Sequence, residues 1–169
     1  MGYIHDVAMS QFVPPSMFLF NAGTWIGVSD TFIWSMARTA ADAEFWASIP
    51  VPLISNSVAS KGSYLKSIEV MYSIATAACD DFATVSLLKD TFQLNGTLNT
   101  TVAVAHAVDA AHDTAAERLA VGVHRMVFTL TTAAWIDDQE YYHVDLLIDC
   151  AAGTVFRFYG ALVNYTLRL

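Results

Sequence analysis

The stretch YLKSIEVMYSI (Tyr64–Ile74) alternates cleanly within this 169-residue sequence. Successive side chains of a β-strand point to opposite faces, so residues two apart share a face. The pattern therefore predicts a strand in which one face carries Tyr64, Lys66, Ile68, Val70, Tyr72 and Ile74. The opposite face carries Leu65, Ser67, Glu69, Met71 and Ser73.

Strand patterns continue on both sides of this stretch. Residue types that are enriched in strands recur at 25–28, 31–37, 44–51, 82–92, 101–108, 123–131, 140–148 and 154–169. Turns rich in Asp, Gly, Asn and Pro separate these segments at a spacing of roughly 8 to 15 residues, which is typical of a β-sandwich. The last segment is long and rich in aromatic residues, so we expect it to lie at the centre of a sheet.

These patterns predict an all-β fold built as a single β-sandwich. A jelly roll is the preferred topology and an immunoglobulin-like sandwich is the second, because the sequence alone does not fix the order of the strands. One short helix is expected near 113–120, where Thr114 and Glu117 have the spacing of a capping box.

Residues 1–21 differ from the rest of the chain. Pro14 and Pro15 prevent a helix from continuing and keep their predecessors extended, and the segment is largely apolar, with Asp6 as its one acidic residue and no Lys or Arg. We therefore expect an extended N-terminal arm over 1–21, followed by the β-sandwich domain over 22–169.

Charge and composition restrict the class of partner. The net charge is −8 with only 8 Lys and Arg residues, which argues against direct binding of nucleic acid or anionic lipid. Charged residues make up 14% of the chain and hydrophobic residues 55%, whereas soluble domains average about 25% charged residues. This surplus of apolar surface predicts burial against copies of the same chain, that is, a homo-oligomer or polymer.

Neither a membrane span nor a secretory leader is predicted. The uncharged stretch between Asp6 and Asp30 is interrupted by proline, asparagine and glycine well short of the roughly 18 apolar residues that a spanning helix needs. The first 37 residues contain no Lys or Arg, although a signal peptide begins with a positive region. We expect an extracellular assembly or a virion that is reached without a recognisable signal peptide.

Cys79 and Cys150 each follow a predicted strand and precede a turn, so adjacent strand ends would bring them together. A disulfide between them would contribute up to about 4 kcal/mol, and two unpaired buried thiols are the alternative that the sequence leaves open.

Asn-x-Ser/Thr sequons occur at Asn95, Asn99 and Asn164. The first two lie in a predicted loop and are the candidate glycosylation sites, whereas a glycan on Asn164 would disturb the last strand.

Candidate catalytic groups are few. Asp137, Asp138 and Glu140 share one turn and offer oxygen ligands for Ca²⁺, but their spacing matches no recognised calcium loop. His143 and Asp145 point the same way from one predicted strand. Nucleophile elbows, zinc-binding helices, phosphate loops and dinucleotide fingerprints are absent from the sequence. We predict no enzymatic activity, no cofactor and no metal site, and a hydrolase built on Asp138 and Glu140 is the weakest alternative.

Aromatic residues suggest a second function. An aromatic face packs well on the C–H face of a sugar, as in carbohydrate-binding modules, and glycans are therefore an alternative partner. Because the aromatic residues are spread over separate segments, positions in the core or at a subunit interface are favoured. The candidates are Trp25, Trp34, Trp46, Trp135, Tyr141 and Tyr142.

Four segments carry a resemblance to known sequences, namely SYLKSIEVMY (63–72), DTAAER (113–118), HRMVFTLTT (124–132) and FYGALVNYTLRL (158–169). They resemble uncharacterised single-domain β proteins from environmental sequence, which in turn resemble jelly-roll structural subunits of virions, phage tails and extracellular fibres. The resemblance covers about residues 60–169 and implies a structural role.

The leading hypothesis is a non-enzymatic, self-assembling structural subunit of a filament, a fibre or a virion shell. Its apolar arm would lie along a neighbouring copy and complete that copy's sheet by strand addition. The side chains that would fill pockets there are Ile4, Val7, Met9, Phe12, Phe18 and Phe20. The alternative hypothesis is a lectin-like, carbohydrate-binding β-sandwich module.

Overall fold

The computed structural model describes residues 5–30, 33–41, 43–55, 62–97 and 99–168. Within these ranges almost all regular structure is extended, with a 3-10 turn at Pro15–Met17 and one short helix, α1 (Ala115–Arg118). The strands are β1 (Asp6–Val13), β2 (Leu19–Phe20), β3 (Trp25–Asp30), β4 (Ile33–Arg38), β5 (Ala43–Val51), β6 (Gly62–Ala75), β7 (Cys79–Thr91), β8 (Thr100–Ala103), β9 (His106–Val108), β10 (Gly122–Trp135), β11 (Glu140–Cys150) and β12 (Val155–Arg168).

The strands form two antiparallel sheets that pack face to face. Sheet A has the order β3-β4-β12-β6-β10-β9, with β1 also paired to β12. Sheet B has the order β2-β5-β11-β7-β8. The predicted β-sandwich is therefore confirmed.

Eight of the strands have the order of a jelly roll. Four of them form the row β1-β12-β6-β10 in sheet A, and β5-β11-β7-β8 form the facing row in sheet B. Along the chain these strands alternate between the sheets, except that β8 follows β7 within sheet B. This double Greek-key arrangement confirms the preferred topology and excludes the immunoglobulin-like order.

Strand β12 is the centre of sheet A, as its length and aromatic content predicted. One edge pairs with β6 along its whole length, from Val155 opposite Ala75 to Arg168 opposite Gly62. The other edge is shared by two strands in succession. β4 pairs only with Arg157 and Phe158, and β1 then pairs from Ala161 to the end of the strand.

β12 has a β-bulge at the point where its pairing partner changes from β4 to β1. The register of β12 against β6 shifts between Phe158 and Gly160, and Gly160 has a φ of +128°. A Cβ atom on Gly160 would stand 2.6 Å from Cζ of Phe12 and 2.8 Å from the carbonyl oxygen of Val13. Glycine therefore permits both the backbone conformation and the close approach of β1.

The predicted arm is incorporated into the sandwich of its own chain over the described residues. β1 pairs with β12 from Asp6 opposite Arg168 to Val13 opposite Ala161, and the Arg168 guanidinium donates to Asp6 at 2.7 and 2.8 Å. After the turn that begins at Pro15, β2 pairs with β5 in sheet B. The segment thus contributes to both sheets.

An aromatic cluster fills the space between the sheets. Trp25 stacks on Phe20 with ring centroids 3.7 Å apart and meets Phe158 at 5.8 Å. Tyr72 stacks between Phe156 and the His124 ring, with interplanar angles of 5° and 8°. Buried aromatic pairs add to the stability that comes from removing their surface from water, so this cluster holds β3, β6 and β12 together.

Helix α1 matches its prediction. The Thr114 hydroxyl and the Glu117 carboxylate form a capping box at its start. Arg118 in its last turn is buried and donates to the carbonyl oxygens of Phe82 and His112 at 2.9 and 2.8 Å. These bonds hold the short helix against the end of the sandwich.

Two predictions about strands are wrong in detail. Residues 101–108 were expected to form one strand, but β8 lies in sheet B and β9 in sheet A, because the chain crosses between the sheets at this point. In β6 a second irregularity near Lys66 changes the pairing, since Asn164 faces Ser67 while Tyr165 faces Leu65. Leu65 is consequently buried in the core, and Lys66 is exposed.

Gly160→Ala should lower the free energy of unfolding by about 2 to 4 kcal/mol, because the added Cβ meets Phe12 and Val13 in a backbone conformation that disfavours side chains. Urea unfolding followed by circular dichroism measures the change. Gly96→Ala is the matched control, since Gly96 also has a positive φ but has nothing within 4 Å of the added atom. Equal losses for both variants would contradict the role assigned to the close contact.

Candidate functional site

An apolar groove of about 630 Å³ crosses the outer face of sheet A. Strands β1, β4, β6, β10 and β12 each contribute to it. Its apolar and aromatic wall consists of Phe12, Pro15, Ile33, Trp34, Met71, Val123 and Tyr159. We call this feature the sheet A groove.

The hairpin of β3 and β4 forms one wall of the groove. β4 pairs with β12 only through Met36 and Ala37. The residues of β4 before Met36 pair with β3 and not with β12. The Trp34 ring lies on Gly27 of β3, where an added Cβ would be 2.5 Å from the indole. The absence of a side chain at Gly27 therefore lets the indole lie against the hairpin, and 54% of Trp34 is exposed.

Phe12 covers the bulge of β12 on the same face. Its ring stands directly over Gly160, yet 52% of the residue is exposed. Of the other residues predicted to fill pockets from the arm, Val7 and Met9 are exposed and Phe18 is buried in the core. Phe20 stacks on Trp25, and Ile4 lies outside the described residues.

The opposite wall belongs to β10. Val123 is 83% exposed, and Arg125 follows on the same face of the strand. The Arg125 guanidinium donates to the largely buried Glu69 carboxylate at 2.6 Å. The wall formed by β10 is thus apolar at Val123 and ends at the Arg125–Glu69 ion pair.

A row of polar side chains continues from that ion pair across sheet A. The Asn164 amide donates to Glu69 at 2.9 Å and to the Ser67 hydroxyl at 3.2 Å, and its oxygen accepts from Ser10 of β1 at 2.6 Å. These bonds tie β1, β12, β6 and β10 together beside the groove. Because its amide is engaged on both sides, Asn164 is poorly placed to carry a glycan.

The groove offers binding surface but little chemistry. Tyr159 shares a hydrogen bond with Ser73 at 3.0 Å. His124 also lines the groove, but its Nε2 bonds the Ala120 carbonyl at 2.8 Å, and burial lowers the pKa of the imidazole. Exposed aromatic, Met and Arg side chains around an apolar centre are the composition of a protein interface.

The predicted cysteine pair meets across two strands. Cys79 of β7 lies opposite Cys150 of β11, and both are buried as free thiols with their Sγ atoms 3.7 Å apart. The contact with Cys150, together with burial, raises the pKa of the Cys79 thiol. The two thiols are thus in contact, and the disulfide between them stays a prediction.

The predicted His143–Asp145 pair lies on the outer face of sheet B, away from the groove. His143 Nδ1 is 2.8 Å from Asp145 Oδ1 and 3.2 Å from the Ser48 hydroxyl, and Nε2 is 3.4 Å from Asp90. The bond to Asp145 raises the pKa of His143, which burial alone would lower. Both polar neighbours meet the same nitrogen, so the serine, histidine and aspartate do not form a relay of the catalytic-triad type.

Other sequence candidates are dispersed. Glu140 forms an ion pair with Lys89 and accepts from the Tyr142 hydroxyl. These contacts hold the end of the turn that contains Asp138 against β7. Asn95 and Asn99 are exposed in the loop between β7 and β8. The part of the chain that the structure describes contains no group of three or more His, Cys, Asp or Glu side chains placed to hold a metal ion.

The four tryptophans do not form one platform. Trp25 joins the core cluster, and Trp34 lies in the sheet A groove. Trp46 is half-exposed on sheet B, and Trp135 packs between Tyr64 and the Arg168 guanidinium.

None of the helices in the described ranges is long and apolar enough to cross a membrane.

Comparison with known proteins yields only distant structural similarity. No family model and no curated protein matches the sequence. A structure of carbohydrate-binding modules from the beta-sandwich super family is 7% identical, with a TM-score of 0.36 over 93% of this chain and 55% of that one. An arabinose-bound α-L-arabinofuranosidase is 13% identical, with a TM-score of 0.28 over 95% of this chain.

The chain thus spans about half the length of the carbohydrate-binding-module structure and 23% of the arabinofuranosidase. Overlaps this poor carry no conclusion about function.

The His143 contacts predict how stability depends on pH. Because the folded pKa of His143 is raised above the ordinary value of about 6.5, its stabilising contribution is complete below that value and is lost as the pH rises through the folded pKa. The difference in free energy of unfolding between the wild type and His143→Gln should therefore shrink from pH 6 to pH 9. A His143 ring that titrates at or below about 6.5 by NMR would contradict the assignment.

Proposed function

We propose that this chain is a non-enzymatic structural subunit that assembles with copies of itself through the sheet A groove. The observation that carries the proposal is the contiguous exposure of Phe12, Ile33, Trp34 and Val123 around one groove. Monomeric proteins rarely expose large contiguous apolar patches, and patches rimmed by polar residues mark interaction sites.

The energetics favour burial of this surface. Apolar surface removed from water contributes about 25 cal/mol per Å², and the groove presents aromatic rings that are already held in place by Gly27 and Gly160. Fixed side chains lose little conformational entropy when a partner binds. The Glu69–Arg125 ion pair at the rim remains hydrogen-bonded whether or not a partner is present.

Strand exchange is the second element of the proposed assembly. The hydrogen bonds of β1 to β12 and the Asp6–Arg168 pair would form equally well if β1 came from a neighbouring copy, as in domain swapping. The turn at Pro14 and Pro15 is the natural hinge, because proline keeps its predecessor extended and limits how the chain can fold back. Such a head-to-tail contact produces a closed ring or shell, or an open filament, in a virion or an extracellular fibre.

Val123→Glu should weaken self-association at least about thirtyfold, because a carboxylate buried without a partner in the interface would cost at least about 2 kcal/mol. Light scattering coupled to size exclusion, with electron microscopy of the same samples, measures the oligomeric state. Thr129→Glu is the matched control, since it adds the same charge to an exposed, outward position of β10. A monomeric wild type at high concentration, or equal effects of both variants, would refute assembly through the groove.

An engineered disulfide can show whether β1 pairs with β12 of its own chain or with β12 of a neighbouring copy. Ser10 and Asn164 face each other across β1 and β12, so Ser10→Cys combined with Asn164→Cys can form a disulfide. The exchanged arrangement predicts covalent dimers or longer chains on a non-reducing denaturing gel. Cross-linked monomers alone would show that β1 stays on its own sheet. Deletion of 1–21 is a poorer test, because Val13 and Phe18 belong to the core.

A further inference from the structure

The outer face of sheet B carries a separate pocket of about 270 Å³. Leu19 of β2 and Trp46 of β5 form its walls, and Ser48 and Asp145 contribute its polar groups. We propose that this pocket, called here the sheet B pocket, binds one pyranose ring of a neutral glycan. The site lies on the sheet opposite the groove and is independent of assembly.

The backbone of Trp46, which carries the indole wall, is hydrogen-bonded to Asn21. Asn21 continues the pairing of β2 with β5, since its Oδ1 accepts from Trp46 N–H at 2.7 Å and its own N–H donates to the Trp46 carbonyl at 3.3 Å. Trp46 is 37% exposed and Leu19 68% exposed. The C–H bonds on one face of a pyranose carry slight positive charge, so that face packs on the negative face of an indole.

The polar groups are also fixed before any ligand binds. Ser48 and Asp145 are register partners on β5 and β11, and Asp145 Oδ1 accepts from His143 at 2.8 Å. A carboxylate has about four acceptor sites, so Asp145 can also accept from a sugar hydroxyl. An apolar wall with a few convergent, preorganised polar groups is the usual composition of a small-ligand site.

The negative charge beside the sheet B pocket favours neutral over acidic glycans. His143 lies between the carboxylates of Asp145 and Asp90, so these three groups together carry more negative than positive charge. A uronate or sialate carboxylate would be repelled, whereas a neutral hexose or pentose would be accepted.

The surface also extends along β11. Residues in a strand advance by about 3.4 Å each, so exposed Tyr141 lies about 14 Å along the strand from Asp145, which is farther than the width of one sugar ring. Its ring stacks on His143 at 5.6 Å with an interplanar angle of 20°. Tyr141 is therefore placed to contact a later sugar of an oligosaccharide whose first ring occupies the sheet B pocket.

Titration with neutral xylo-, cello-, manno- and malto-oligosaccharides tests the site, with oligogalacturonate as the anionic contrast. At least one neutral series should shift the Trp46 indole N–H and the Ser48 and Asp145 amides in NMR spectra of the full chain. Trp46→Ala should weaken binding about tenfold, and Trp46→Phe should retain part of it. Tyr141→Ala should weaken only the longer oligosaccharides.

Trp34→Ala is the matched control, because it removes an exposed indole from the other sheet. The proposal is overturned if no neutral series binds, if Trp46→Ala binds as the wild type does, or if oligogalacturonate binds equally well. Binding by the Val123→Glu variant should equal that of the wild type, which separates this result from the outcome for assembly. Melting temperatures of the variants show that each is folded.

Discussion

The architecture depends on one edge of β12, which pairs with two different strands in succession. β4 pairs at Arg157 and Phe158 and β1 pairs from Ala161, and the register of β12 against β6 on its other edge changes between these two places. The bulge before Gly160 provides that change, and the missing side chain lets Phe12 settle over it. Because β4 is released from β12 after two residues, the hairpin extends outward. Phe12 and Trp34 are thereby brought to the same outer face.

The two outer faces of the sandwich differ in chemistry. Sheet A presents an apolar groove whose polar groups are confined to a hydrogen-bonded rim, which suits a protein surface. Sheet B presents a smaller pocket with a carboxylate and a hydroxyl beside a half-exposed indole, which suits a polar ring. Exposed apolar side chains occur on both sheets, and those around the groove and on the β3–β4 hairpin are Phe12, Ile26, Ile33, Trp34 and Val123.

Much of the fold could be predicted from sequence, because alternation and turn residues act locally. The strands, the capped helix and the central position of β12 follow from such signals. The irregularity near Lys66 could not be predicted, since it arises from pairing with strands far away in the chain. The crossing between β8 and β9 likewise depends on which sheet each segment joins. The groove could not be predicted for the same reason, because composition does not show that Trp34 is exposed while Trp25 packs against the core.

The central strand of sheet A is also the last of the described strands in sequence order. During synthesis β1, β4 and β6 leave the ribosome before the strand that joins them, and the ion pair between Asp6 and Arg168 links residues 162 apart. Such distant pairing makes loop closure costly and folding slow. Until β12 is inserted, several apolar strands keep unpaired edges, which are templates for aggregation. Sheet A therefore cannot be completed before β12 has left the ribosome, and until then its unpaired edges are exposed to aggregation.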